Sequence, residues 1–423
     1  MGGFALTPHL ATWGIAALAT LGVITRPMGW PEAVWAVLGA SALVLLGLLP
    51  VGAAWDGVLK GGDVYLFLIG MMLMSEVARK EGLFDWLAGL AVRAARGSAT
   101  RLFALVYAVG TLVTVFLSND ACAVVLTPAV YAATRAAKVR DPLPYLFICA
   151  FIANAASFVL PISNPANLVV FADAMPPLTR WLALFALPSV LAIAATYAVL
   201  RITQGPTLRA QSVATEVEGA PLSRTGLVAG LGIVATGAVL IAASALGRDL
   251  GLPTFAAGLA TTLIVLLMRR GGLVTVVRDV SWGVLPLVAG LFVLVEALEK
   301  TGLLGRIAEG LKAAVGTAPE ATAWGAGALV AVLSNLVNNL PAGLIAGAAV
   351  QAAAVPERVA GAVLIGIDLG PNLSVTGSLA TILWLTALRR EGIDVGFWRF
   401  LKLGALVMPP ALLLALAGLL LVP

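Results

Sequence analysis

Stretches of apolar residues separated by short charged loops occupy almost the entire chain. A helix that crosses a lipid bilayer needs about 20 mostly apolar residues. The apolar stretches lie near residues 10–25, 33–53, 64–78, 102–117, 121–134, 143–172, 181–200, 225–246, 252–268, 281–298, 322–333, 336–353, 359–388 and 403–422. This pattern predicts an all-α chain that crosses a membrane many times.

Two pairs of short stretches do not fit the template of a simple span. The first pair meets at the polar tripeptide Ser118-Asn119-Asp120, and the second pair meets at Ser334-Asn335. We interpret each pair as a re-entrant helical hairpin, which enters the membrane and returns to the side from which it came. The hairpins are predicted at about residues 102–134 and 322–353.

Two longer stretches are interrupted by prolines and polar residues. We interpret each as one broken helix that crosses the membrane, at about residues 143–172 and 359–388. The interruptions are Pro161, Asn164, Pro165 and Asn167 in the first stretch, and Gly370, Pro371 and Asn372 in the second. With the hairpins set aside, ten spans remain.

The composition requires lipid as the solvent for this chain. Of its 423 residues, 61% are hydrophobic and only 11% are charged, whereas soluble domains are about 25% charged. A chain of this length with so little charge cannot cover a surface that faces water. The net charge of +5 is spread over short loops and does not indicate nucleic-acid binding.

The distribution of basic residues between loops predicts the orientation. When the hairpins return to their own side, most of the 26 Lys and Arg residues fall on one side of the membrane. Loops rich in Lys and Arg stay in the cytoplasm, so this side is predicted to be cytoplasmic. Both termini are then predicted to lie outside the cytoplasm, in a multi-pass protein of the inner (plasma) membrane.

An internal repeat organises these elements. The segments EVARKEGLF (76–84) and EALEKTGLL (296–304) resemble each other, and each is followed by an amphipathic segment, a hairpin and a broken helix. Each half holds five spans and one hairpin, and an odd number of spans inverts the second half. We therefore predict a first repeat at 1–200, a cytoplasmic linker at 201–224 and an inverted second repeat at 225–423. The first hairpin then enters from the cytoplasm and the second from outside.

The breaks predict a polar site near the middle of the membrane, because irregular backbone at that depth is allowed only where protein or a watery cavity satisfies it. The candidate substrate-binding residues are Ser118, Asn119, Asn164, Asn167, Ser334, Asn335, Asn338, Asn339, Asn372, Thr376 and Ser378. Asp120 and Asp368 lie beside the breaks and are the candidate proton carriers. A buried carboxylate costs several kcal/mol unless it is paired or protonated. The alternative is that each Asp only caps a half-helix, and that the Asn side chains only satisfy the backbone.

Several classes of protein chemistry find no support in the sequence. His9 is the only histidine, and Cys122 and Cys149 form no metal-binding or disulfide pattern. There is no phosphate-binding GK[ST] loop and no pairing of a nucleophile with a base. We therefore expect a transporter rather than an enzyme, with no cofactor and no metal site.

Three segments carry a resemblance to a known family. The stretches SNDACAVVLTPAV (118–130), NPANLVVFADA (164–174) and IDLGPNLSVTGSLATILWL (367–385) resemble the arsenical pump membrane protein (ArsB) family of the ion transporter superfamily. The resemblance extends over essentially the whole chain. It implies export of arsenite or antimonite in exchange for protons, and a fold with a scaffold domain and a transport domain that carries both hairpins. A soluble ATPase partner is also implied, and related folds suggest a homodimer.

The resemblance transfers site roles to several positions of this chain. These are Asn119, Asp120, Asn164, Asn167, Asn335, Asn372, Thr376 and Ser378. Sodium-coupled dicarboxylate relatives carry a Ser-Asn-Thr motif in both hairpins, but this chain has Asp120 and Leu336 at the third positions. The departure favours a proton over sodium. Two alternatives stay open, namely a sodium/proton antiporter of the same superfamily and a membrane anchor for a soluble ATPase.

Overall fold

The computed structural model describes residues 8–171, 175–214 and 221–422, and these residues form helices and connecting segments without strands. The ends of the chain, part of the predicted linker 201–224 and residues 172–174 of the motif at 164–174 lie outside the described residues. Helices dominate because lipid cannot hydrogen-bond an open backbone, so each segment must satisfy its own N–H and C=O groups.

The first half of the described chain contains twelve helices. They are α1 (Pro8–Thr25), α2 (Glu32–Leu45), α3 (Val51–Lys60), α4 (Gly62–Lys80), α5 (Leu83–Ala95), α6 (Ala99–Phe116), α7 (Asn119–Ala121), α8 (Thr127–Ala136), α9 (Leu143–Ala155), α10 (Pro165–Phe171), α11 (Leu178–Thr203) and α12 (Gly205–Arg209).

The second half contains ten. They are α13 (Arg224–Ala245), α14 (Gly251–Arg269), α15 (Leu273–Asp279), α16 (Val284–Lys300), α17 (Leu303–Thr317), α18 (Pro319–Val337), α19 (Asn339–Ala353), α20 (Glu357–Leu369), α21 (Leu379–Arg390) and α22 (Phe397–Leu421). A 3₁₀ turn follows α9 at Pro161–Ser163, and another follows α20 at Gly370–Asn372.

The all-α membrane fold predicted from the apolar stretches is confirmed. Within the described ranges, eight helical segments are long and apolar enough to cross a membrane, and the bent pair of α3 and α4 adds a ninth when it is taken as one span. The order of elements from α4 to α11 is followed again from α16 to α22, with an amphipathic helix, a hairpin and a broken helix in each series. Inversion of the two halves stays a prediction.

The apolar stretch 33–53 was wrongly predicted to be one continuous span. Helix α2 ends at Leu45, and a turn with Gly47 at φ +68° leads to Pro50, after which α3 begins. Glycine permits this left-handed backbone, and proline prevents the first helix from continuing. The short helix α3 then bends by 48° into α4.

The break in the second hairpin also differs from its predicted position at Ser334-Asn335. Helix α18 continues through both residues to Val337, and the backbone turns at Asn338, which has φ +70°. Asparagine tolerates positive φ better than most residues because its short side chain bonds locally. The structural counterpart of Ser118-Asn119 in the first hairpin is therefore Asn338-Asn339.

The helices pack into two groups. In the first group α4 lies along α14, α2 along α16, α13 along α14 and α1 along α2. The second group contains the hairpins, the broken helices, α11 and α22, with α11 along α22 and α18 along α20. Each hairpin touches the broken helix of the other half, since α19 packs on α10 and the segment 122–126 packs on α21. This grouping matches the predicted scaffold and transport domains, whose relative movement stays a prediction.

Close approach of α4 and α14 depends on two glycines. A Cβ atom on Gly70 would lie 2.3 Å from the Thr254 carbonyl oxygen, and one on Gly258 would lie 2.3 Å from the Gly70 carbonyl oxygen. Small residues allow such backbone contact between membrane helices, and that contact supplies much of their packing energy.

We expect Gly70→Leu to force α4 away from α14 and to destabilise the purified protein by about 1–3 kcal/mol, as overpacking generally does. Thermal unfolding in detergent should show a lower melting temperature. The matched control is Gly14→Leu, because Gly14 also lies in a membrane helix but has open space around its Cβ position. Equal melting temperatures for both variants would contradict this account of the α4–α14 contact.

Candidate functional site

A cavity of about 590 Å³ opens between the two helix groups. Its lining includes Ser118 and Asp120 from the first hairpin and Pro165 from the start of α10. Arg79 and Arg390 also line it; both are exposed and lie in the last turns of α4 and α21, which end on the predicted cytoplasmic side. The cavity therefore leads from that side to the first hairpin.

The tip of the first hairpin is an extended segment followed by a new helix start. The Ser118 hydroxyl accepts a hydrogen bond from the Ala121 N–H at 3.2 Å, and Asn119 Oδ1 accepts one from the Asp120 N–H at 2.9 Å. Both side chains thus satisfy N–H groups that the first turn of a helix leaves free. Asp120 lies in this first turn, where the positive end of the helix dipole favours a negative charge.

A π-helical turn at Cys122–Leu126 follows this start. Pro128 lacks an N–H group, so it cannot donate to the carbonyl of Val124, four residues earlier. Within the same turn the Thr127 hydroxyl donates to the Cys122 carbonyl at 3.4 Å. Such turns are frequent at functional sites of helices, and this one directs the hairpin towards α21.

The second hairpin is bonded to the loop that follows the second 3₁₀ turn. Asn338 Oδ1 accepts from the Leu340 N–H at 3.3 Å and Asn338 Nδ2 donates to the Thr376 carbonyl at 3.3 Å. The Asn339 N–H donates to the Gly377 carbonyl at 2.8 Å. These bonds hold the tip of this hairpin against the loop 373–378.

Asn335 completes the closure of the second hairpin. Its Nδ2 donates to the carbonyls of Ala331 and Gly370, both at 2.8 Å, and its Oδ1 accepts from the Ser374 N–H at 3.1 Å and the Ser374 hydroxyl at 2.8 Å. The Thr376 hydroxyl donates to the Asn335 carbonyl at 3.1 Å. The Ser334 hydroxyl donates only within its own helix, to the Ala331 carbonyl. These groups are all engaged within the protein in this conformation.

The first broken helix is held by its own asparagines. Asn167 Nδ2 donates to three carbonyls of the interruption, those of Ser157, Leu160 and Pro161, at 2.9–3.2 Å. Asn167 itself lies inside α10, so it supports the break rather than forming it. Asn164 stands immediately before α10, and its Oδ1 accepts from the Ala166 N–H at 3.0 Å.

Asp368 lies in a different environment from Asp120. Its side chain is 0% exposed, and its Oδ1 accepts from Asn164 Nδ2 at 2.8 Å. Its Oδ2 has no hydrogen-bond partner, because the neighbouring Ser157 hydroxyl donates to the Asn154 carbonyl. Among the residues that the structure describes, no Lys or Arg forms an ion pair with either aspartate. Burying an ionised carboxyl without a cation costs several kcal/mol, which makes Asp368 an unusual group at this depth.

Asn154 belongs to the same network and was missed from the sequence. Its Nδ2 donates to Asn372 Oδ1 at 3.0 Å, and its Oδ1 accepts from the Ser378 hydroxyl at 3.3 Å. Asn372 Nδ2 in turn donates to the Phe151 carbonyl. The available signal was the isolated amide in the otherwise apolar stretch LFICAFIANA, since polar side chains at membrane depth mark functional or packing sites.

The predicted site residues therefore fall into two sets. Ser118 and Asp120 line the open cavity, and Asn119 supports their helix start. The remaining predicted residues do not line this cavity; they bond the second hairpin to the loop 373–378, connect the two broken helices, or bond within their own segment, as Ser334 and Asn167 do. That all of them form one substrate site stays a prediction.

An ion-pair network borders the mouth of the cavity. Buried Glu76 accepts hydrogen bonds from Arg79 at 2.6 and 2.9 Å, and Lys80 bonds Asp279 at 2.8 Å. Helix α16 of the second half has a counterpart of Glu76, since buried Glu296 pairs with Lys60 and Lys300. Both buried glutamates therefore pair with cations near the ends of α4 and α16.

Comparison with known proteins places the chain in a family. The sequence model of the CitMHS family, described as citrate transporter, matches residues 20–388. The chain belongs to the CitMHS family. It is a membrane transporter, as its apolar helices and transporter relatives together require.

Individual relatives match this chain over nearly its whole length. The arsenical pump membrane protein of Yersinia enterocolitica is 26% identical over 98% of this chain and 96% of its own length. That of Escherichia coli K12 is 28% identical over 97% and 98%. An uncharacterized transporter of Mycobacterium tuberculosis is 27% identical over 90% and 91%. The resemblance to arsenical pumps inferred from the three motifs is confirmed.

Solved structures show the same fold. The YdaH transporter of Alcanivorax borkumensis superposes with a TM-score of 0.56 at 18% identity, covering 97% of this chain and 96% of its own. MtrF of Neisseria gonorrhoeae, described as illuminating a class of antimetabolite efflux pumps, superposes with a TM-score of 0.54 at 14% identity, covering 99% and 95%. At these identities the likeness concerns the fold alone.

The cavity predicts which positions water-soluble reagents reach from the cytoplasmic side. In everted vesicles, a membrane-impermeant thiol reagent should label Ser118→Cys, because Ser118 lines the cavity. Ser334→Cys is the control, since Ser334 is fully buried and lies outside the cavity lining. The native Cys122 and Cys149 are buried and should add little background. Labelling of Ser334→Cys at the rate of Ser118→Cys would show that the second hairpin is not closed as described.

Proposed function

We propose that this CitMHS-family chain exports arsenite and antimonite from the cytoplasm in exchange for protons. The observation that carries the proposal is the cavity that brings Asp120 and Ser118 into contact with water from the predicted cytoplasmic side. The relatives named arsenical pump membrane protein, which match nearly the whole chain, support the choice of substrate.

The chemistry at the end of the cavity suits a neutral polyhydroxy solute. Arsenite is a neutral trihydroxide at neutral pH, and its hydroxyl groups can donate to a carboxylate and exchange hydrogen bonds with a serine hydroxyl. A tricarboxylate such as citrate would need cations beside its carboxylates. The arginines that line the cavity stand at its mouth, where Arg79 is already paired with Glu76, and the hairpin tip presents the carboxyl of Asp120. These features favour arsenite over an organic anion.

Exchange follows if substrate and proton compete for Asp120. The ionised carboxylate accepts hydrogen bonds from substrate hydroxyls, whereas the protonated carboxyl has lost part of that capacity. Loading from the cytoplasm therefore releases the proton, and protonation on the outer side releases the substrate. Movement of the hairpin-bearing helix group against the scaffold group would expose the site alternately to the two sides.

Sodium/proton antiport is the second candidate function. Two buried acceptor oxygens, Asn167 Oδ1 and Asp368 Oδ2, have no hydrogen-bond partner. Carbonyl and carboxylate oxygens are ligands that hard cations prefer. A sodium ion bound beside either atom would satisfy that oxygen.

The deciding experiment is arsenite flux into everted vesicles or proteoliposomes that contain only this chain, with an imposed pH gradient and without sodium or ATP. We expect arsenite to accumulate and the accumulation to collapse when a protonophore is added. Such a result would also show that no ATPase partner is required. Sodium movement against the proton gradient without arsenite movement would instead select the second candidate.

We expect Asp120→Asn to reduce proton-driven arsenite uptake to background while the protein still inserts, because the amide cannot exchange a proton. Insertion is checked by protein level and by the melting temperature in detergent. Asp56→Asn serves as the matched control, since Asp56 does not line the cavity. Normal uptake by Asp120→Asn at saturating arsenite would refute the role of Asp120 as proton carrier.

A further inference from the structure

The two broken helices are built in the same way around one polar position. Helices α9 and α20 each contain 13 residues, and the residue before the last is Asn154 in α9 and Asp368 in α20. The residue that stands before the second half-helix is Asn164 in the first case and Ser378 in the second. In both cases this residue follows ten positions after the polar one, and the corresponding residues are 214 positions apart.

Each polar position bonds to the helix start of the other broken helix. Asn164 Nδ2 donates to Asp368 Oδ1 at 2.8 Å, and the Ser378 hydroxyl donates to Asn154 Oδ1 at 3.3 Å. The same cross-connection is therefore made twice, with the two broken helices exchanged. All four residues are buried, so the two bonds fix how the broken helices cross.

The two bonds differ in one chemical respect. Asn154 uses both ends of its amide, because its Nδ2 also donates to Asn372 at 3.0 Å. Asp368 has the shape of asparagine but carries a second oxygen, Oδ2, without a partner. An amide is neutral at every pH, whereas a carboxyl at this position is neutral only with a proton attached.

We propose that Asn154 and Asp368 are equivalent positions in two matching hydrogen bonds between the broken helices, Ser378–Asn154 and Asn164–Asp368, which we call latches. Only the latch at Asp368 responds to protons. Asn154 is then a positioning residue that holds the second broken helix permanently against α9. Loss of the proton from Asp368 leaves a buried charge with no cation paired to it. The bond from Asn164 then strengthens, but it does not offset the cost of the buried charge, so the packing of the first broken helix against α20 is destabilised. This inference rests on the proposed function in so far as the coupling ion is a proton.

No counter-charge for Asp368 stands on the described elements that pack against it. The elements packed against α20 are α9, α10, α11, α18, α19, α22 and the 3₁₀ turn at Gly370–Asn372. Of these, α9, α10, α19 and the 3₁₀ turn contain no charged residue, and the others carry theirs towards the helix ends. The titratable groups on these elements are Cys149, Tyr145, Tyr197, Glu320, Arg180, Arg201, Arg399 and Lys402, together with Glu357 and Arg358 on α20 itself. Tyr145 and Cys149 donate to backbone carbonyls elsewhere.

The test exchanges the two chemical groups and needs no substrate. The melting temperature of the purified full-length protein in detergent is measured from acidic to alkaline pH for the wild type, Asp368→Asn, Asn154→Asp and the double variant Asn154→Asp/Asp368→Asn. We expect the wild type to lose stability towards alkaline pH by more than Asp368→Asn does. Asn154→Asp should roughly double that loss, because it adds a second latch of the same kind. The double variant should return to the dependence of the wild type.

A second pair of variants keeps the test informative if Asn154→Asp does not fold. Asn164→Ala removes the donor to Asp368 and should change the pH dependence, whereas Ser378→Ala removes the donor to Asn154 and should lower stability equally at all pH values. Identical pH dependence in wild type and Asp368→Asn, or in Asn164→Ala and Ser378→Ala, would overturn the proposal. Because these readouts use no arsenite, a failed arsenite flux would refute the proposed substrate and leave the latch pair standing.

Discussion

Lipid offers the backbone no hydrogen-bond partner, and the arrangement of this transporter depends on that constraint. Continuous helices meet it without help, but the chain interrupts its helices at four places within the membrane. At each place polar side chains take over the unpaired backbone groups. Asn167 serves three carbonyls between α9 and α10, and Asn335 serves α18 and the second 3₁₀ turn. The concentration of Asn and Ser at the breaks is thus required by the fold before any substrate is considered.

The same constraint explains why the two hairpins differ in this conformation. The second hairpin has its polar groups engaged with the loop 373–378, so it is closed against the second broken helix. The first hairpin satisfies its own helix start through Ser118 and Asn119 and has Asp120 beside water. A site that is open on one side and sealed on the other is what alternating access requires of each half of its cycle.

Carboxyl groups within this protein are accommodated in three physical ways. Glu76 is buried and neutralised by Arg79 and Lys80 at the membrane boundary. Asp120 lies at a helix start beside a cavity, where water and the helix dipole stabilise its charge. Asp368 is fully buried, forms no ion pair with a Lys or Arg among the described residues, and accepts a hydrogen bond from one amide, that of Asn164. The cost of charge in a medium of low polarity therefore differs among the three carboxyls according to the partner that each one has.

The amino-acid sequence alone determined that the chain lies in lipid, that it is helical, and approximately where the two hairpins and the two broken helices are interrupted, because lipid burial and the loss of helix continuity at Pro, Gly and Asn act locally. It also determined which residue types gather at the breaks, since backbone groups at that depth need polar partners. Only the tertiary structure decided that the second hairpin turns at Asn338 instead of Ser334, that Asn154 bonds to Ser378, and that Asp120 meets the cavity while Asp368 does not. Those facts depend on which segments come into contact, 38 residues apart for Asn338 and Thr376 and more than 200 apart for the bonds of the broken helices, and no local pattern encodes that packing.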